Sequence, residues 1–174
     1  MIEVKNSLLP PPVQWYAIQT RYRFERKVTS QLCSKGLETF LPLLKETHRW
    51  SDRHKLVDTP LFPGYMFVRL DQSSLIHKEF LKTEGIIGLI TFAKEAAPVP
   101  NKQIDDLRQL LSQNVPCALH PFLKVGQKVR IRGGCLDGLE GILDQAGQKN
   151  LVISIDSIQR AIAIKIEGYE LQLI

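Results

Sequence analysis

The strongest constraint on the fold is a break in pattern at residues 114–122. This stretch contains Pro116 and Pro121 and has neither helical nor strand periodicity, which is typical of a linker. Segments before it alternate between strand-like and helix-like patterns, whereas the segments after it are all short and strand-like. The break predicts two small domains, at residues 13–113 and 123–174, preceded by a flexible tail at residues 1–12.

The first domain is predicted to mix strands with helices. Helices are indicated by the four-residue spacing of Phe24, Val28 and Leu32, by residues 73–82, and by the apolar spacing that starts near Asn101. Four segments rich in β-branched and aromatic residues predict strands: residues 13–20, 38–44, 64–70 and 86–92.

The second domain is predicted to be a small β-barrel, because alternating strands follow one another at short intervals and are separated by glycine-containing turns. Five segments show this alternation: residues 128–132, 140–145, 151–156, 160–166 and 169–174. Residues 123–174 carry 7 Lys and Arg against 6 Asp and Glu, whereas residues 1–122 carry 16 against 12. The basic excess therefore lies in the first part, and the barrel lacks the charge for an electrostatic grip on RNA.

Several classes of protein are disfavoured by composition. No apolar run reaches the roughly 18 residues of a membrane span, and Glu3 and the prolines from Pro10 do not fit a signal peptide. Three widely spaced cysteines, Cys33, Cys117 and Cys135, fit neither a disulfide framework nor a CxxC metal site. We therefore expect a cytoplasmic protein with no membrane contact.

Catalytic and metal-binding motifs are also missing from the sequence. It contains no glycine-rich phosphate loop, no HExxH and no GxSxG, so we expect neither an enzyme nor a cofactor. His48 and His54 lie six residues apart without a nearby cysteine or paired acid, which does not match the ligand spacing of a zinc site.

Three stretches, in this order, together resemble the NusG family of transcription elongation factors. The first is WYAIQT at residues 15–20, followed by Glu25 and Arg26; the second is PLFPGYMFV at residues 60–68. The third is VGQKVRI at residues 125–131, whose following glycines resemble the KOW motif: Gly134, Gly138 and Gly141.

The resemblance implies an α+β fold, in which an antiparallel sheet flanked by helices (the NGN domain) is joined by a flexible linker to an SH3-like, five-stranded KOW barrel. It also implies a monomer that binds RNA polymerase, suppresses pausing and modulates termination or antitermination. The chain could be the general factor or an operon-specific paralogue of the RfaH and UpxY kind.

In the family, an apolar concavity of the NGN domain grips the clamp helices of the largest polymerase subunit. Buried aromatic side chains supply much of the energy of protein interfaces. An ordinary core role for the same aromatics stays open, because large apolar residues are usually buried. The motifs carry this role over to six residues: Trp15, Tyr16, Phe62, Pro63, Gly64 and Tyr65.

Two further surfaces of the NGN domain are implied. Residues around the first helix would face the non-template DNA strand, although a solvated helix face stays open: Arg21, Tyr22, Arg23, Arg26 and Lys27. The polar stretch at residues 45–59 is predicted to be an exposed hairpin or loop. Its family counterpart reaches the opposite pincer of the polymerase, which assigns that contact to His48, Arg49, Trp50, Arg53 and His54.

The KOW barrel of the family recruits a small-subunit ribosomal protein or the termination factor Rho. The candidate contacts here are Ile158, at the position of the family's aromatic residue, and Arg160. A KOW-containing RNA-binding protein of ribosomal type is the alternative. Such proteins are usually far more basic, and they would leave the motifs around Trp15 and Phe62 unexplained.

Overall fold

The computed structural model describes residues 12–123, 126–144 and 149–174. The predicted tail, apart from Pro12, and Val125 of the third motif lie outside the described residues. Antiparallel sheets dominate the described parts and helices are few, which confirms the predicted α+β class. No helix in these parts combines the length and apolar character needed to cross a membrane.

The first part of the chain contains nine strands and three helices within the described residues. The strands are β1 (Gln14–Thr20), β2 (Thr39–Phe40), β3 (Leu43–Trp50), β4 (Arg53–Pro60), β5 (Tyr65–Leu70), β6 (Ile86–Leu89), β7 (Thr91–Phe92), β8 (Glu95–Ala96) and β9 (Pro98–Val99). The helices are α1 (Glu25–Ser34), α2 (Gln72–His77) and α3 (Asn101–Ser112).

The N-terminal sheet is built around β1. Its strand order is β2-β5-β1-β6, with β9 pairing the beginning of β1, and all of these pairings are antiparallel. Alternate residues of a strand point to opposite faces of a sheet, so Trp15 and Ala17 join one core cluster whereas Tyr16 and Ile18 join the other. Helix α3 packs on the side of the sheet that carries Trp15, and α1 packs on the side that carries Tyr16.

The predicted helix at residues 73–82 is interrupted. Helix α2 begins after Asp71, whose carboxylate accepts a hydrogen bond of 2.7 Å from the Ser74 amide, and it ends at Lys78. Lys78 has φ +52°, a left-handed conformation that an α-helix cannot continue through. A short 3-10 helix, Glu79–Lys82, follows it.

The C-terminal part forms a six-stranded antiparallel sheet. Its strands are β10 (Cys117–His120), β11 (Gln127–Arg132), β12 (Glu140–Asp144), β13 (Asn150–Ile155), β14 (Arg160–Lys165) and β15 (Glu170–Leu173), in the order β10-β14-β13-β12-β11-β15. The five predicted barrel strands correspond to β11–β15, and the sixth strand was not predicted.

The sixth strand, β10, comes from the stretch that was predicted as an unstructured linker. It pairs with β14 over four rungs, from Cys117↔Ile164 to His120↔Ala161. The His120 ring also lies 3.2 Å from the Asp144 carboxylate. An uncovered strand edge offers backbone hydrogen-bonding groups to any nearby chain. Residues 117–120 can therefore form a strand beside β14 without an alternating apolar pattern in their sequence. The linker prediction is therefore wrong for residues 117–120.

Candidate functional site

Five residues of the first two motifs form part of one apolar surface of the N-terminal domain, called here the Trp15 face: Trp15, Ala17, Phe62, Tyr65 and Phe67. Trp15 is 3% exposed and Phe62 1% exposed, and Tyr65 is half-buried. These residues belong to the same core cluster as the inner side of α3. The motifs therefore do converge on one surface, and that surface is covered in this conformation.

The cover over the Trp15 face comes partly from the C-terminal strands β10–β15, which are called the barrel below. One continuous apolar cluster joins Trp15, Phe62 and Leu107 to the barrel residues Leu136 and Ile158. Strand β9 contacts the 3-10 turn Asp156–Ile158 of the barrel. The Trp15 face and the barrel thus share a core, which is more than a linker-tethered pair of domains would show.

Polar groups at the edge of this domain contact fix the barrel against α3. The Lys102 ammonium donates to the Gly138 carbonyl at 2.8 Å. The Gln109 amide donates to the carbonyls of Cys135 and Asp137 at 3.1 and 3.0 Å. An apolar centre with a hydrogen-bonded edge is the usual anatomy of an interface between folded units.

The two residues proposed as barrel contacts for a partner lie in the same place. Ile158 is buried, and the Arg160 guanidinium carbon lies 5.8 Å from the centre of the Tyr65 ring, within cation–π distance. Ile158, predicted as a partner contact, is therefore covered by the N-terminal domain in this conformation.

Asp106 is a buried acid at the domain contact. Its side chain lies 2.5 Å from the Lys102 ammonium. Burial raises the pKa of this carboxyl above its ordinary value, and the Lys102 charge and the Glu140 backbone amide oppose that rise. Glu140 belongs to β12 of the barrel, so the protonation of Asp106 is coupled to the position of the barrel.

Tyr16 does not belong to the Trp15 face. It is buried on the opposite side of the sheet with Val28 and Leu32 of α1, and its hydroxyl donates to the Gln14 side chain at 3.1 Å. Burial also raises the pKa of this phenol. Neighbouring residues of one strand cannot share a face, so the structure does not bring Tyr16 together with Trp15 and Phe62.

The bend before β5 is held by Glu25 of the first motif. Gly64 has φ +82°, which favours glycine, and its amide donates to a Glu25 carboxylate oxygen at 2.8 Å. The Gly64 carbonyl accepts from the Thr20 amide at 2.8 Å, and Pro63 is exposed beside it. Glu25 is itself buried. Its role in positioning Tyr65 could not be inferred from a pattern of single residues.

The predicted nucleic-acid residues all lie exposed around the start of α1: Arg21, Tyr22, Arg23, Arg26 and Lys27. The Arg23 guanidinium lies 5.3 Å from the centre of the Tyr22 ring, and Tyr22 is 69% exposed. Lys27 is paired with Glu84 at 2.7 Å, and Arg26 donates to the Asp58 carbonyl at 2.7 Å. The structure therefore keeps these residues together on one exposed surface, although Arg26 and Lys27 already have partners within the protein.

The predicted hairpin forms from β3 and β4, which pair over eight rungs, from Leu43↔Pro60 to Trp50↔Arg53. Five side chains predicted to contact the opposite pincer all lie in its outer half and are exposed: His48, Arg49, Trp50, Arg53 and His54. Within the described residues, no group of three or more His, Cys, Asp or Glu side chains could hold a metal ion.

Arg108 is a contact of the Trp15 face that sequence analysis missed. Its guanidinium carbon lies 5.1 Å from the centres of both the Trp15 and Phe40 rings. Glu38 lies 3.7 Å from the same guanidinium. The helical spacing identified the apolar side of α3 but gave no sign that a cation at its margin would cover an aromatic ring.

Comparisons with known proteins agree on the family. The family model described as "Transcription termination factor nusG" matches residues 13–108. Two proteins named "Transcription termination/antitermination protein NusG" are similar over nearly the whole chain. The one from Borreliella burgdorferi is 21% identical and is aligned over 92% of this chain and 98% of its own length. The one from Lactococcus lactis is 23% identical over 96% of each.

A solved structure supports the fold. The structure titled "Domain interaction in Thermotoga maritima NusG" is 18% identical, with a TM-score of 0.54, and covers 91% of this chain and 97% of that chain. At this identity the likeness supports the architecture alone. The family match spans more than half of the chain and includes the motifs that form the Trp15 face. This protein therefore belongs to the NusG family.

Proposed function

We propose that this protein is a transcription elongation factor that binds RNA polymerase through its Trp15 face, suppresses pausing and modulates termination. The observation that carries the proposal is an apolar face, made of Trp15, Phe62 and Tyr65, that requires a second folded unit to cover it. Relatives named for transcription termination and antitermination support the same role. The coiled-coil clamp helices of the largest polymerase subunit are the proposed partner.

The barrel must leave the Trp15 face before that partner can bind. The polar contacts that hold it include three hydrogen bonds from Lys102 and Gln109 and the stacking of Arg160 on Tyr65. Each contributes on the order of 1 kcal/mol. A partner that binds the open form more tightly than the closed form shifts the population toward the open form.

Departure of the barrel also exposes Ile158 and separates Arg160 from the Tyr65 ring. These are the proposed contacts of a second partner, Rho or a small-subunit ribosomal protein. The exposed residues around α1, including Arg21 and Tyr22, are proposed to meet the non-template DNA strand, because arginine contacts phosphates and tyrosine stacks on unpaired bases.

The test is a pausing and termination assay with the polymerase of the same host, combined with a binding measurement. Tyr65→Ala removes a half-buried ring from the Trp15 face, and we expect it to weaken polymerase binding about 5-fold or more. Phe92→Ala, which removes an exposed ring that belongs to none of the proposed contacts, is the matched control. An intact chain that fails to bind this polymerase would contradict the proposal.

A further inference from the structure

The outer half of the β3–β4 hairpin stands away from the sheet. Residues 45–50 of β3 and 53–56 of β4 are exposed, whereas Leu43 and Leu44 at the base are partly buried. At about 3.3 Å per residue, the exposed part of β3 extends roughly 17 Å. The hairpin tip, defined as residues 48–55, is therefore accessible to a large ligand while the barrel covers the Trp15 face.

The pairing register sorts the side chains of the tip onto two faces. Residues directly opposite each other share a face, and successive rungs alternate. Trp50↔Arg53 and His48↔Lys55 lie on one face, and Arg49↔His54 lies between them on the other. One face thus combines an indole that is 69% exposed with a guanidinium, an ammonium and an imidazole.

The tip carries a net positive charge, with Arg49, Arg53 and Lys55 against one acid, Asp52. Among the residues that the structure describes, no carboxylate lies within 4.0 Å of these three cations. The ion pair that the hairpin does contain joins His48 to Glu46 at 3.4 Å. A cluster with an excess of positive charge attracts a polyanion.

We propose that the hairpin tip binds single-stranded nucleic acid. Trp50 stacks on an unpaired base, and Arg53 and Lys55, which lie on the same face of the hairpin, contact the phosphates on either side of it. Cationic grooves with exposed aromatic rings bind single strands in this way, because every base has a face to stack on and every nucleotide carries a charge. A duplex offers its phosphates to the cations of the tip but keeps its bases stacked on one another, so it cannot stack a base on Trp50.

The base of the hairpin adjoins a second surface of the same chemistry. Arg26 of α1 donates to the Asp58 carbonyl of β4 at 2.7 Å, so the two elements touch. Tyr22 and Arg23, at the start of α1, repeat the combination of an exposed ring and a guanidinium found at the tip. A strand bound at the tip would therefore have a second aromatic and basic surface within the same domain.

Intrinsic fluorescence gives a direct test with the intact chain alone. The chain contains two tryptophans, of which Trp15 is 3% exposed and Trp50 is 69% exposed. We titrate the protein at low salt with a mixed-sequence single-stranded 12-mer, as DNA and as RNA, and with the DNA duplex of the same sequence. Quenching by either single strand, and weaker quenching by the duplex, supports the proposal. Absence of quenching by both single strands, or equal quenching by the duplex, overturns it.

Variants measured by anisotropy with a labelled strand separate stacking from charge. Trp50→Ala is expected to weaken binding about 5- to 100-fold, and Trp50→Phe to retain most of it. Arg53→Ala/Lys55→Ala removes two phosphate contacts on the Trp50 face and should make the slope of log K against log salt shallower by about 1.4. Lys149→Ala/Lys165→Ala removes the same charge from exposed positions on the barrel and is the matched control.

Two results would overturn the assignment of the site. One is an equal loss of affinity in the barrel control, which would show that net charge alone drives binding. The other is a set of tip variants that bind the single strand normally but bind polymerase poorly, which would show that the tip contacts protein. Neither measurement with the isolated strand depends on the polymerase proposal, so the two can fail separately.

Discussion

Removal of the Gln109 side chain should open the domain contact without damaging either domain. Gln109 lies on α3, and its amide donates to the carbonyls of Cys135 and Asp137 at 3.1 and 3.0 Å. The two bonds share one donor nitrogen and together contribute roughly 1–2 kcal/mol, so Gln109→Ala should disfavour the closed form by about that amount. Alanine is the best helix former, so α3 itself should not be weakened.

The expected result is a gain in polymerase affinity. When the closed form predominates, the apparent dissociation constant equals the intrinsic value divided by the open fraction. A shift of about 1–2 kcal/mol therefore tightens binding about 5- to 30-fold. Gln113→Ala, the same substitution at an exposed position at the end of α3, should leave affinity unchanged.

Opening is measured separately from binding. In a Trp50→Phe background, Trp15 is the remaining tryptophan, and departure of the barrel should shift its emission to longer wavelength because it becomes more hydrated. A red shift without a gain in polymerase affinity would refute the claim that the Trp15 face is the binding surface. No change in either quantity would refute the claim that Gln109 holds the domains together.

Three further predictions follow from the same geometry. Phe62→Ala should destabilise the protein by about 3–5 kcal/mol in denaturant unfolding, because its ring is fully buried, whereas Tyr65→Ala should cost much less. Glu25→Ala leaves the Gly64 amide without its acceptor and should cost about 1–3 kcal/mol, and Glu25→Gln, which keeps an acceptor oxygen, should cost less. Burial raises the pKa of Asp106, so its contribution to the free energy of unfolding is complete below the ordinary aspartate pKa near 4 and is lost as pH rises through the raised pKa. The free energy of unfolding in denaturant should therefore fall as pH rises over that window, and Asp106→Asn should remove this part of the dependence.

Local patterns were enough to predict much of the fold. The content of β-branched and aromatic residues at 13–20 predicted β1, and the spacing of Phe24, Val28 and Leu32 predicted α1, which buries one periodic apolar side. Because adjacent residues of a strand point to opposite faces, Trp15 and Tyr16 are separated. Grouping them treated the motif as one surface, although its residues alternate between two.

The parts that were missed depend on contacts between distant segments. Strand β10 exists because β14 offers it an edge, and the cover over the Trp15 face exists because the barrel packs there. Apolar residues in a domain contact have the same composition and spacing as residues in a core. Gln109 and Arg108 are polar and lie at the margin of α3, so no apolar pattern includes them.

The position of Arg160 on Tyr65 links the two proposed binding events. Tyr65 belongs to the surface proposed for polymerase, and Arg160 belongs to the surface proposed for the barrel's partner. In the closed form the two side chains contact each other, so each covers part of the other's binding surface. A ligand that binds one of these surfaces holds the domains apart, so the second ligand no longer has to supply the free energy of opening. By linkage, polymerase should strengthen binding of the barrel's partner by the same factor by which that partner strengthens binding of polymerase. Gln109→Ala, which opens the contact in advance, should reduce both factors toward one and raise both separate affinities.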